Sequence, residues 1–119
     1  MNNTFANKNQ LKGVWINLIN NALGAIESNQ GRIGISTRYE NKAFTIVFSD
    51  NGKGIAPENQ EHIFEPFFTT KEAGKGTGLG LSVSLQAIKE HHGDIHFETT
   101  LGLGTKFIVV LPDIDGNSY

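Results

Sequence analysis

The sequence predicts an α+β domain: a two-layer α/β sandwich with helices packed on one face of a mixed, mainly antiparallel sheet. Three observations lead there. Apolar residues recur at three- and four-residue steps in two long segments. Four shorter runs alternate apolar with polar residues. These runs fall in two adjacent pairs, separated by helix-length intervals.

Taken in order, Leu11, Val14, Trp15, Leu18, Ile19, Ala22 and Ile26 define one buried helical face, predicting a helix from residue 8 to about 28. "NQGR" breaks it, with Gly31 as the turn residue. "RIGISTRY" and "AFTIVFSD", joined by "ENK", read as a hairpin. A glycine-rich turn, "DNGKGI", follows, and Pro57 opens a short helix to about residue 63. "FEPFFTTKEAGKGTG" has little periodicity and reads as a long loop, which in a compact domain is functional or mobile as a rule. A helix from 79 to about 91 buries Leu81, Leu85 and Ile88. "DIHFETT" and "TKFIVVLP" then form a second strand pair, joined by "LGLG" and ended by Pro112.

The chain of 119 residues suits a single domain over 1–119, with its core at about 8–112. A net charge of −2 and the lack of a basic stripe argue against a nucleic-acid surface. No cysteine is present, so disulfides and cysteine-ligated zinc are excluded. There is no run of 18 apolar residues and no signal-peptide pattern. The polar ends, "MNNTFANKN" and "DIDGNSY", look like those of an excised domain.

Chemistry concentrates in four places. "GKGTGLGL" places four glycines just before a helix, although each glycine costs about 0.5–1 kcal/mol in regular structure. It is either a flexible surface loop or a phosphate cradle, where bare backbone N–H groups and a helix N-terminus meet an anion. Its spacing fits neither the P-loop nor the dinucleotide GxGxxG pattern. Asn17 and Asn21 lie four residues apart on one helical face, near Asn20 and Asn9; they make a solvated face or a ligand set for a hard cation such as Mg²⁺. Asp50, followed by Gly52 and Gly54, either caps its own turn or accepts from an exocyclic amine such as that of adenine. "FEPFFTTK" sets Phe64 and Phe67 as core anchors and Lys71 as a solvated charge or a phosphate ligand.

The order of these signals is specific. "NLINNA", "DNGKGI", "FEPFFTTK" and "GKGTGLGL" resemble the asparagine box, first glycine box, phenylalanine box and second glycine box of histidine protein kinases. "EHHGDIHFETTLGLGTKFIVVLP" is similar to the closing helix, strand pair and GxGT turn of that family. The resemblance covers 8–112 and names the catalytic, ATP-binding domain of two-component sensor kinases, in the group that includes gyrase, with the α/β sandwich called the Bergerat fold. It implies ATP and Mg²⁺ as ligands. By position, Asn21 is the Mg²⁺ ligand and Asn17 meets the phosphates or the waters of the ion. Asn17, Asn21 and Lys71 are implied as catalytic. Asp50 takes the adenine amine, with Gly52, Gly54 and Ile55 shaping the base pocket. Phe67, Thr69, Thr70 and Lys71 border the nucleotide; Gly76, Thr77, Gly78, Leu79, Gly80 and Leu81 meet the phosphates; Thr105 closes the adenine side.

Position 17 separates branches of that group. ATPases of the gyrase kind are expected to carry a glutamate there as general base, and a neutral amide cannot take a proton. Asn17 therefore points to transfer onto an imidazole, which is nucleophilic when neutral. The lid resembles the short one of the nitrogen-regulation-like subgroup. Two positions depart from the family pattern: Asp94 stands where a second glycine is frequent, and Gly24 replaces a polar residue and its phosphate contact. None of His62, His91, His92 and His96 sits in an acceptor motif. The implied partners are a histidine-containing dimerisation domain of the same full-length kinase, expected before Met1, and a response regulator receiver domain downstream. The isolated chain is expected to be a cytoplasmic monomer, or the cytoplasmic part of a membrane-anchored sensor. The alternative is a regulatory ATP-binding module of the same group without phosphotransfer.

Overall fold

The computed structural model describes residues 8–26, 29–66, 68 and 80–113. In chain order the elements are α1 (Lys8–Ala25), β1 (Ile33–Glu40), β2 (Ala43–Asp50), α2 (Pro57–Gln60), α3 (Gly80–Glu90), β3 (Asp94–Thr100) and β4 (Gly104–Pro112). The four strands form one sheet in the order β1-β2-β4-β3, and every pairing is antiparallel. The hairpin between β1 and β2 closes on Asn41 and Lys42, both at positive φ (55° and 58°), the backbone that matches strand twist in a two-residue turn.

Alternation along β4 decides which face the helices cover. Thr105, Phe107, Val109 and Leu111 are buried, while Lys106 between them is exposed. Register then builds apolar rows across the helix-facing side: Phe48–Phe107–Phe97, and next to it Ile46–Val109–Ile95. Leu11, Val14, Leu18 and Ala22 of α1, with Ala87 and Ile88 of α3, seal these rows. Trp15 stacks on Phe48 with ring centroids 5.8 Å apart. The two long helices run antiparallel: Gln10 donates to Glu90 Oε1 at 2.8 Å at one end, and Asn17 reaches Gly80 at the other.

Two boundaries differ from the sequence reading. Helix α1 ends at Ala25, where that reading carried it to about 28; the Ala25 carbonyl accepts from Lys53 N–H at 3.0 Å, so a loop satisfies an orphan helix-end group. Ile26 lies just past the helix, partly buried and crowded against Gly31. Helix α2 stops at Gln60, three residues short of expectation, and the chain continues in turns bonded His62 N–H to Asn59 O and Glu65 N–H to His62 O. Asp94, the first residue of β3, accepts from Lys89 Nζ and Ile95 N–H, each at 2.9 Å. Most of the predicted long loop, 67 and 69–78, lies outside the described residues, as does Leu79, the predicted start of the next helix.

Candidate functional site

At one end of the sheet the apolar rows give way to a polar one. Asp50 of β2 pairs with Thr105 of β4, and Thr105 pairs with Thr99 of β3. Asp50 lies two residues after Phe48, Thr99 two after Phe97 and Thr105 two before Phe107, so all three point to the helix-facing side. Asp50 Oδ1 accepts the Gly52 N–H at 2.8 Å. The turn-capping reading of Asp50 holds: one oxygen caps its own turn, and the side chain stands at the head of the row. Burial pushes the Asp50 carboxyl up from its ordinary range, and the backbone N–H groups of Gly52 and Thr105 pull it partly back.

The turn after Asp50 is wedged between a helix end and a hairpin. Gly52 is buried against α1, and a Cβ there would lie 2.4 Å from the Ala25 carbonyl oxygen. Gly54 has φ +75°, and a Cβ there would lie 2.4 Å from Thr100 O. Neither position admits a side chain. Lys53 O accepts from Gly102 N–H at 2.7 Å, and Ile55 N–H donates to Thr99 Oγ1 at 2.9 Å. Asn51 fastens the outer side, accepting from Arg32 N–H at 2.6 Å and donating to Gln30 O at 3.2 Å.

Helix α1 joins this corner to α3. Asn17, Asn21 and Ala25 share one face at four-residue steps. At one end Ala25 touches Gly52. At the other, Asn17 Nδ2 donates across 3.4 Å to both Gly80 O and Ser84 Oγ, the latter fully buried. Asn21 stands between them, roughly 6 Å along the axis from each. It is half-buried. An amide oxygen so placed suits a hard cation that keeps its waters and phosphate oxygens. No cluster of three His, Cys, Asp or Glu able to hold a metal occurs among the described residues.

The structure thus brings Asp50, Gly52, Gly54, Ile55 and Thr105 together and places Asn17 and Asn21 on the helix beside them, with Gly80 and the partly buried Leu81 opening α3 next to Asn17. Phe67, Thr69, Thr70, Lys71, Gly76, Thr77, Gly78 and Leu79 lie outside the described residues. Sequence reasoning missed Asn51, Ser84 and Thr99. Asn51 had a local signal, its place in "DNG". Ser84 and Thr99 had none, since their partners come from other elements.

A family model described as "Histidine kinase-, DNA gyrase B-, and HSP90-like ATPase" matches residues 6–115. The chain belongs to this family. Sporulation kinase C of Bacillus subtilis is 43% identical over 105 residues, covering 88% of this chain and 24% of that protein. The signal transduction histidine-protein kinase AtoS of Escherichia coli is 44% identical over 108 residues, covering 90% of this chain and 17% of that protein. The chain therefore spans a quarter or less of these curated relatives. Among solved structures, the catalytic domain of histidine kinase ThkA superposes with TM-score 0.77 at 39% identity, covering 90% of this chain and 68% of that one. The mycobacterial sensor histidine kinase MprB gives 0.80 at 26% identity, covering 92% and 76%. The helix-backed antiparallel sheet is the fold expected from the sequence. No helix among the described residues is long and apolar enough to cross a membrane.

Proposed function

We propose that this chain, as one domain, is the ATP-binding catalytic domain of a cytoplasmic or membrane-anchored sensor histidine kinase, which binds Mg·ATP and transfers its γ-phosphoryl group to a histidine on a separate dimerisation domain of the same protein. In that step the bond from the γ-phosphorus to the β–γ bridging oxygen breaks, an N–P bond to the imidazole forms, ADP leaves and the imidazole loses a proton. A receiver domain of a response regulator then takes the phosphoryl group.

The observation that carries this reading is the amide at position 17. It sits where the α1 face meets the start of α3, bonded to Gly80 and Ser84, and offers no base for water. A neutral imidazole needs little activation, so positioning and charge neutralisation suffice. Asp50 accepts from the adenine amine beside Gly52, Gly54 and Ile55, and Thr105 closes that side. Asn21 holds Mg²⁺ through its amide oxygen; the ion, when bound, neutralises phosphate charge. Gly80 and Leu81 face the phosphates, as do Gly76, Thr77, Gly78, Leu79 and Lys71, with Phe67, Thr69 and Thr70 at the border. A regulatory module that binds ATP without transfer is the second reading, favoured by the exposed, bare Gly24.

Calorimetry with and without magnesium tests the metal and nucleotide assignments. Asn21→Ala is expected to weaken Mg·ATP binding about tenfold or more, while metal-free ATP binding changes little. Equal losses in both titrations would remove Asn21 from the metal role.

A further inference from the structure

We infer that Thr99 is a positioning residue for base selection: it fixes the Thr105 hydroxyl as a hydrogen-bond acceptor, so that the polar end of the sheet favours a purine bearing a 6-amino group over a 6-oxo one. The inference rests on the adenine assignment of Asp50 made above and assigns a role to a residue outside it.

Thr99 Oγ1 has three neighbours: Ile55 N at 2.9 Å, Gly104 O at 3.1 Å and Thr105 Oγ1 at 2.8 Å. A backbone N–H only donates, and a carbonyl only accepts. A hydroxyl has one proton and two lone pairs. If Thr99 gives its proton to Gly104 O, it accepts from both Ile55 N–H and Thr105 O–H, and all three contacts become hydrogen bonds. If it gives that proton to Thr105, its contact with Gly104 O is lost. The first arrangement satisfies every contact in a site where Thr105 is buried and Thr99 half-buried, and unmade bonds are costly there. The Thr105 proton is then committed to Thr99, and Thr105 Oγ1 presents only lone pairs.

Thr105 stands directly across the ladder from Asp50. Asp50, when ionised, is also an acceptor. A ligand edge at this end of the sheet therefore meets two acceptors, which an exocyclic amine satisfies and a carbonyl oxygen opposes. Discrimination of this kind is strong because the mismatch leaves buried polar groups unpaired.

The test compares ADP with inosine diphosphate, which replaces the 6-amino group by a 6-oxo group, in calorimetry on this chain. Wild type is expected to prefer ADP. Thr99→Val keeps the shape, removes the hydroxyl and frees the Thr105 proton to meet an oxo group. The ADP preference is expected to narrow about 3- to 10-fold, the span of one neutral hydrogen bond. Thr99→Ser retains the hydroxyl and is expected to restore the preference, which a merely structural role for the threonine methyl would not do. Should Thr99→Val not fold by circular dichroism, Thr99→Cys, with a weaker donor and acceptor at the same place, is expected to narrow the preference as well. A folded Thr99→Val or Thr99→Cys whose preference stays within about twofold of wild type overturns the inference, provided Asp50→Asn weakens ADP in the same series. If Asp50→Asn leaves ADP binding unchanged, the adenine assignment itself fails and the inference falls with it.

Discussion

At the residue scale, Asp50 carries two opposed demands. Its burial raises the carboxyl above its ordinary value, so the folded chain holds a proton there more tightly than the unfolded one. Stability from this group is therefore greatest when it is protonated and is lost as pH rises through the raised value. Binding an amine has the opposite sense, since the carboxylate must be ionised to accept. Nucleotide affinity is thus expected to fall as pH is lowered through the raised value, while folding gains. Asp50→Asn separates the two. The amide oxygen can keep the 2.8 Å bond to Gly52 N–H, so the turn survives, and a half-buried charge is gone. The apo variant is expected to melt at or above the wild-type temperature at neutral pH, yet to bind adenine nucleotides more weakly by about 1.5–3 kcal/mol, the worth of a hydrogen bond to a charged group. Its affinity should also lose the acid dependence of the wild type. Calorimetry across pH together with thermal melts checks both halves; unchanged affinity in a folded variant would take Asp50 out of the adenine role.

At the element scale, two glycines of α1 and its neighbouring turn act in contrary ways. Gly13 lies inside the helix, and a Cβ there would meet nothing within 4 Å; Gly13→Ala is expected to stabilise the chain by about 0.5–1 kcal/mol through helix propensity. Gly52 lacks such room: its Cβ would strike the Ala25 backbone at 2.4 Å and 2.6 Å. Gly52→Ala is expected to cost about 1–3 kcal/mol, because backbone cannot swing aside as a flexible side chain can. Thermal melts of the two variants moving in the same direction would contradict this account. The contrast also marks what the sequence could disclose. Periodicity located α1, α3 and all four strands, because burial on one face leaves a local imprint. The sheet order β1-β2-β4-β3 left no such imprint, nor did the Asp50–Thr105–Thr99 row, because register joins residues far apart in the chain. The end of α1 was misplaced for the same reason: Lys53, well downstream, takes the helix's last carbonyl. Asn17, Asn21, Asp50 and the glycines were legible as residue types in a specific order, whereas Thr99 and Ser84 became visible only in three dimensions.

At the scale of the whole molecule, the positions of the four histidines argue that an acceptor must come from elsewhere. His91 is buried at the far end of α3 from Gly80, roughly 16 Å away along an eleven-residue helix. Its Nδ1 lies 2.8 Å from Ala87 O, a carbonyl that can only accept, so that nitrogen is committed as a donor. His92 is the next residue, at φ 64° in the turn that ends the helix. His96 pairs with Ile108 on β4, on the strand face opposite the buried Phe107 and Val109, and so points away from the helices and from Asn17 and Asn21. His62 Nδ1 lies 2.8 Å from Glu65 Oε2, a contact that raises its pKa and favours the imidazolium, which is no nucleophile. Incubated alone with Mg·ATP labelled at the γ-phosphate, this chain is expected to gain no acid-labile, base-stable label. Added to a purified helical dimerisation domain bearing an acceptor histidine, taken from one of the sensor kinases it resembles, it is expected to label that domain at a rate proportional to the concentration of the complex. Label appearing on this chain by itself would contradict the geometric argument. Nucleotide binding without transfer to acceptors drawn from several relatives would favour the regulatory module instead.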